Sequence, residues 1–477
     1  MPDGVRTLME CSQNTKESPS VNIIDTSFLV DELRQRYQRS GQYVEVDFRK
    51  LVHWVRVGDQ LAHQIHPYPA KLLPHIAHFF TRASILLNQH SQVLDPFCGS
   101  GTVSLEASLA GHTPYVADTN PIALLITKVK TTAYSPEVLK RGLALILSKA
   151  RRFRTAPEIP VVNQHIWYDK ARKKSLEKLL RALLENTEGD IRDFFLVAFS
   201  VAARRLSWAD PAISVPVKLK KKDNFSNAHN NKIEMRLSWI ETTDTFAEFE
   251  KICEANISRV NECNLAQPKR LAAIQVGADA RSLKCPKAAN ESSLETGSIP
   301  LVITSPPYGS AQKYIRATSL SLNWLSFAAP SALSALESRS IGREHLPMYR
   351  QIDVKEQLPT PYENLLLRIG RKNETRARIT RQYLHEMKSA LVEMARVTKR
   401  NGHIVLVIGN NVVCGEALRN DEFIVNTLEG LGLCLEIGLI DHIKSRGLMT
   451  KRNKTASVIS RECVLVFRKN GDKGSES

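Results

Sequence analysis

The chain has no run of about 18 consecutive apolar residues, so no membrane-spanning helix is expected. Its eight cysteines (Cys11, Cys98, Cys253, Cys263, Cys285, Cys414, Cys434 and Cys463) are scattered, with no CxxC pair and no His-paired ligand spacing. That pattern argues against a structural zinc site and against a secreted disulfide framework, and no metal is expected. The polar first twenty residues lack the apolar core of a secretory signal. Together these absences predict a reducing, cytoplasmic setting. Acidic residues are in deficit too, with 49 Asp plus Glu against 66 Lys plus Arg, a formal charge of +17. Such an excess suits a polyanionic partner, because phosphates bind Lys and Arg with release of counterions. Charge alone describes a basic soluble protein equally well.

What is present is a globular composition, 43% hydrophobic and 24% charged over 477 residues, enough for a sizeable core without staples. The apolar pattern alternates strand and helix. SQVLDPFCGSGT reads as a buried strand, a Gly-rich turn and a helix start, with Gly111 as a stop. TPYVADTNP is a second strand, PIALLITKVK a second helix, and further strands follow at LAAIQVGADA, PLVITSPPY, HIVLVIGN, CLEIGLIDHI and CVLVFRK. This alternation predicts an α/β fold with a doubly wound parallel sheet. Helical patterns also occur at 31–39 and within HPYPAKLLPHIAHFF. No internal repeat is found.

Two long stretches interrupt the alternation. The expected organisation is an N-terminal segment 1–60, a first core part 61–130, a largely helical insertion 131–270, a core part 271–310, a second insertion 311–380, and a closing core part 381–477. Insertions on such a core gather at the carboxyl ends of strands, where ligands bind. Both insertions are therefore candidates for recognising a substrate.

Two constellations carry chemistry. In Asp95-Pro96-Phe97-Cys98-Gly99-Ser100-Gly101-Thr102, a carboxylate ends a strand and glycines let backbone N–H groups approach a ligand. No GK[ST] follows, so it is not a phosphate loop, and it does not match GxGxxG. The acidic strand end suits a cationic ammonium better than a pyrophosphate; a lone GxG is otherwise an ordinary tight turn. Asp118, ending the second strand, is placed to accept ribose hydroxyls, or to cap the helix that Pro121 opens. Asp279, after the third strand, could accept from an adenine amino group or be a solvated loop residue.

The second constellation is Thr304-Ser305-Pro306-Pro307-Tyr308. Its prolines fix the backbone and remove two N–H donors, leaving carbonyls free to accept. An exocyclic amine needs acceptors of this kind, from Ser305 and the Pro306 carbonyl, to draw on its hydrogens and aim its lone pair. Tyr308 offers a face for an extruded base. Alone, a PPY triplet is more often a polyproline loop. Its place after a buried strand, downstream of the Gly-rich turn, favours the catalytic reading.

DPFCGSGT followed by TSPPY resembles the DNA amino-methyltransferases, which make N4-methylcytosine or N6-methyladenine. The Ser-Pro-Pro-Tyr form is similar to the cytosine-N4 branch, and HPYPAK, with Lys71, and ADTNPIA, with Asn120, resemble that family's cofactor motifs. The resemblance covers about 66–131 and 271 to the C-terminus. It implies a seven-stranded Rossmann-like sheet with S-adenosylmethionine over the Asp95 loop and Asp118, and double-stranded DNA as the partner. It also suggests a restriction-modification methylase with a cognate endonuclease. Other substrates, adenine in DNA or a base in RNA, keep the same chemistry. A catalytically relic nucleic-acid-binding protein is the rival of another class, and the intact Asp95, Gly99, Gly101, Ser305 and Tyr308 speak against it.

Lesser candidates are phosphate contacts at 218–222 and 368–381, site-lining Asn410 and Asn411, His66, and a DNA-facing loop with Arg446 and Lys454. Cys98 reads as packing, because methylating an amine needs no covalent attack on the base.

Overall fold

The computed structural model describes residues 24–55, 61–69, 71–286, 292–309, 313–346, 357–443 and 461–471. The chain's polar start and the loop of Arg446 and Lys454 lie outside the described residues.

The strands are β1 (Val44–Val46), β2 (Gln92–Asp95), β3 (Thr113–Val116), β4 (Ile274–Gln275), β5 (Ile299–Thr304), β6 (Thr398–Ile408), β7 (Asn411–Val413), β8 (Glu416–Leu418), β9 (Leu433–His442) and β10 (Arg461–Lys469). Eight of them form one sheet in the order β1-β9-β10-β6-β5-β2-β3-β4, with β7 and β8 as a separate hairpin. Every pairing in the large sheet is parallel except those of β10, which runs antiparallel to β6 and β9. The α/β, doubly wound expectation holds, a Rossmann-like sheet. The hairpin β7–β8 was not expected, and the strand of the large sheet not expected is β1, three residues paired with β9. Its VEV pattern is too short to register as a strand without that partner.

Chain order reverses between β2 and β5: β2, β3 and β4 run towards one edge, and β5 and β6 towards the other. A crevice opens at the carboxyl ends of strands flanking such a reversal. The central strands are buried on both faces, as parallel strands between helical layers must be; Ile404 to Ile408 of β6 are all fully buried. One face is covered by the helices Ser27–Ser40, Pro74–Thr81 and Thr102–Leu109, the other by Thr360–Lys372, Glu374–Val397 and Asn420–Glu429.

Residues between β3 and β4 fold mainly as helices, Pro121–Thr131, Pro136–Arg152, Lys170–Asn186, Gly189–Arg205, Asn227–Thr242 and Thr245–Ala266. They share a core of Phe194, Phe195, Phe199 and Phe249, into which Trp324 of the short helix Ser319–Trp324 inserts. That insertion ties the chain following β5 to the helical layer. No helix among the described residues is long and apolar enough to cross a membrane.

Candidate active site

A pocket lies over the switch point. Its wall includes Tyr68, Pro96, Phe97 and Gly99 from the first turn, and Asp118, Thr119 and Asn120 from the second. Asp279 and Ala280 join after β4, Ser305 and Pro307 after β5, and Tyr314, Ser340 and Ile341 from the segment beyond. The two motifs, about 200 residues apart in the chain, thus meet in one crevice.

Local geometry builds the first turn. Gly101 has φ +70, and a Cβ there would stand 2.6 Å from Thr127 Oγ1 and 2.9 Å from Thr127 Cα, so only glycine fits. Cys98 is buried beside Thr127, which donates to its Sγ at 3.5 Å, a packing role. Ser100 and Thr102 are buried, their hydroxyls 3.2 Å apart. None of these four lines the pocket; they shape the turn that presents Gly99.

Asp118 spans the two turns. It accepts from Gly99 N at 2.9 Å and from Asn120 N at 2.8 Å. Burial pushes its carboxyl up to about 6, against the pull of those two bonds. Asn120 donates to the Tyr68 hydroxyl and to Thr318 Oγ1, both at 3.1 Å, and caps the helix Pro121–Thr131 through Ile122 N. Tyr68 and Tyr314 lie nearly parallel, 6.5 Å between centroids and 18° between planes.

Asp95 sits beneath the wall rather than in it. Thr304 Oγ1 donates to it at 2.6 Å and Phe97 N at 3.2 Å, and burial lifts its carboxyl to about 7. Neither Asp95 nor Asp118 has a cationic partner among the described residues. Asp279 lines the pocket, yet its carboxylate is held bidentately by Arg281, at 2.8 to 3.1 Å. Lys71 does not reach the wall. It donates to the His63 carbonyl at 3.1 Å, and burial with Arg259 nearby lowers its ammonium to about 8. His66 is buried away from the wall, and burial with Lys71 near takes its ring down to about 3.

The Ser305–Tyr308 loop is clamped at three points. Tyr308 donates to Glu462 Oε1 at 2.7 Å, Tyr383 donates to the Pro307 carbonyl at 3.1 Å, and Asn411 Nδ2 donates to the Gly309 carbonyl. Asn411 is in turn held by Asn420, at 3.1 Å, whereas Asn410 accepts from Asp421 N. No donor meets the Pro306 carbonyl among the described residues. Glu462 is half-buried and its carboxyl is raised by desolvation; the Ser305 hydroxyl also contacts the Tyr308 phenol. Tyr308 itself stands behind the wall that Ser305 and Pro307 face.

Sequence reasoning missed Tyr68, Tyr314, Glu462, Tyr383 and the pair Ser340 and Ile341. Tyr68 lies inside HPYPAK and Tyr314 a short way beyond TSPPY, so an aromatic beside each motif was the available signal. Glu462, on β10, carries no local mark.

Residues 64–144 match the family model UPF0020, described as RMKL-like, methyltransferase domain. With this pocket across the sheet's switch point, that match fits a Rossmann-like methyltransferase fold, for which S-adenosylmethionine is the expected cofactor. The residues present fit it: Asp118 lines the pocket with no cationic partner among the described residues, and Phe97 and Tyr314 supply apolar faces.

More particular likenesses follow. The chain is 24% identical over 417 residues to the type II methyltransferase M.MvaI of Kocuria varians, covering 81% of this chain and 83% of that protein. Over 91 residues it is 33% identical to the type II methyltransferase M.MjaII of Methanocaldococcus jannaschii, 19% and 17% of the two chains. Among solved structures, the rRNA methyltransferase aviRa from Streptomyces viridochromogenes aligns over 85% of this chain and 88% of that one, with 11% identity and TM-score 0.28. A protein from Thermus thermophilus assigned as a DNA modification methylase, complexed with S-adenosyl-L-methionine, aligns over 38% of this chain and 52% of that one, with 18% identity and TM-score 0.19. With scores this low, the fold rests on the strand order itself.

Proposed function

We propose that the chain is a DNA methyltransferase that moves a methyl group from S-adenosylmethionine to the exocyclic N4 amine of cytosine. The observation that carries this reading is the meeting of Ser305 and Pro307 with Gly99 and Asp118 in one pocket, between a clamped loop and a Gly-rich turn. The type II methyltransferase relatives support duplex DNA as the substrate. They also motivate a restriction-modification role in the cytoplasm, with a cognate endonuclease as partner.

Bound S-adenosylmethionine supplies an electrophilic methyl on a sulfonium. In this reading Asp118 holds the ribose, Asp279 faces the adenine, and Asp95 with the Gly99 turn serves the methionine end. Ser305 and the Pro306 carbonyl accept from the target amine and turn its lone pair towards the methyl carbon. With the cofactor bound, the amine nitrogen would take the methyl carbon as its carbon–sulfur bond breaks, and the amine proton would leave to water. Positioning and fixed dipoles do the work, so no strong base is needed. Tyr308, anchored by Glu462, backs the loop and shapes the base pocket.

The test is transfer of labelled methyl to duplex DNA and to RNA, by the wild type and by Ser305→Ala. Label in DNA, reduced on the order of a hundredfold in the variant, is the expected result. Label confined to RNA, or transfer indifferent to Ser305, contradicts the proposal.

A further inference from the structure

We infer that the hairpin Trp208–Leu219 and the helix Asn227–Thr242 form the surface that grips and reads the DNA duplex. The inference rests on the DNA reading above and assigns it a place. Between Lys218 and Arg236 stand six cations (Lys218, Lys220, Lys221, Lys222, Lys232, Arg236) against two carboxylates, Asp223 and Glu234. A charge run is usually only a solvated face, so the partners of these cations decide.

Three of the cations are held over aromatic rings. Lys218 lies 4.9 Å from the Trp208 centroid, Lys222 4.9 Å from Phe225, and Arg236 4.1 Å from Trp239. A ring orients a cation without neutralising it. Among the described residues, only Lys221 of these cations pairs with a carboxylate, Glu234 at 2.9 Å. The second basic run behaves otherwise: Arg368 and Lys372 both pair with Glu416, and Arg381 with Glu363. Part of that run's charge is thus matched by carboxylates at the surface, whereas Lys218, Lys220, Lys222 and Lys232 are exposed and meet no carboxylate among the described residues; Arg236 is half-buried and donates to the Arg205 carbonyl.

The helix is equally unusual. Over its 16 residues only Ile233 and Ile240 are buried, and Met235 is 73% exposed. It adds little to the core, yet its first half exposes Asn227, His229, Asn231 and Lys232. Amide and ammonium side chains on an exposed helix are the groups that read base edges in a major groove.

A packed path joins this surface to the pocket. Asn120 of the wall bonds Thr318, at the start of the helix Ser319–Trp324. Trp324 Nε1 donates to Tyr168 at 3.0 Å, and Trp208 N donates to the carbonyl of the neighbouring Trp167 at 2.9 Å. The element that reads the duplex is thereby fixed relative to the loop that receives the base.

The test maps modified positions on plasmid DNA by sequencing, and measures binding to a short duplex bearing the mapped site over a salt series. Lys218→Ala/Lys220→Ala/Lys222→Ala is expected to flatten the salt slope by about one unit per lysine. Asn231→Ala/Lys232→Ala is expected to relax discrimination between the mapped site and a mismatched one by roughly tenfold to a hundredfold. Arg368→Ala/Lys372→Ala should leave both unchanged, and cofactor binding, retained in all three, shows that each variant is folded. Wild type that methylates duplex DNA while neither of the first two variants alters slope or site choice overturns this inference alone. Wild type that labels only RNA overturns it together with the function on which it rests.

Discussion

Asp95, Glu106 and Asp118 lie in the first two strand–turn–helix units of the sheet, and the fold treats the front and the back of this region differently. At the back, Glu106 of the helix Thr102–Leu109 accepts from His63 at 2.8 Å, His78 at 3.0 Å and Arg82 at 3.0 Å. Burial works to raise its carboxyl, but these partners hold it well below the usual range. At the front, Asp95 and Asp118 receive only backbone and hydroxyl donors, and burial lifts them to about 7 and 6. The back acid is neutralised by partners within the fold, whereas the front pair meets no cation among the described residues. Acids left in this state are candidates for a functional site.

The largest effect that could break this contrast is at the back. Glu106→Ala strands the half-buried Arg82 and two imidazoles, and unfolding free energy should fall by about 3–5 kcal/mol, read from denaturant titration. A loss below 1 kcal/mol would mean that the cluster contributes little to the fold. Asp118→Asn should do the reverse: stability within about 1 kcal/mol of wild type, but cofactor affinity reduced by roughly tenfold to a hundredfold in calorimetry. Equal effects of the two substitutions on both readouts would erase the distinction.

pH sharpens it further. The raised values of Asp95 and Asp118 mean that the ligand-free protein loses stability as pH rises from about 4, their ordinary value, towards 7. Glu106, held low, contributes stability that is lost as pH falls below its ordinary value. Cofactor affinity should therefore drop as pH is lowered from 7 to 5, by up to about tenfold per unit, and Asp118→Asn should flatten that profile. A flat wild-type profile would show that ionised Asp118 does not accept from the ligand.

The smallest expected effect lies at Glu462. Glu462→Leu removes the acceptor of Tyr308 and should lower kcat on the order of tenfold with cofactor affinity intact, while Glu462→Gln restores most of it. A change confined to stability would make that contact purely structural.

The same front–back division explains what was legible in the sequence. The Gly-rich turn, Asp118 and the Ser305 loop are local motifs, since each follows a buried strand and each owes its conformation to glycines or prolines within it. Gly99, Asp118, Asn120 and Ser305 reach the wall for that reason. Lys71 illustrates the limit: it sits in a motif-like segment, but its ammonium is turned to the His63 carbonyl. Glu462, Ser340 and Ile341 arrive by tertiary packing from segments with no mark of their own, and β1 exists because β9 offers it an edge. The basic run 218–222 was visible as charge, but its aromatic partners, which separate it from the run 368–381, required the fold.

The most direct measurement of the central claim is the identity of the methylated nucleoside, obtained by digesting wild-type-treated duplex DNA and separating the products by mass and fragmentation. The account predicts N4-methyldeoxycytidine. N6-methyldeoxyadenosine would keep the pocket and the amine chemistry and contradict the choice of base; a methyl on a ring carbon would contradict the mechanism built on Ser305 and the Pro306 carbonyl.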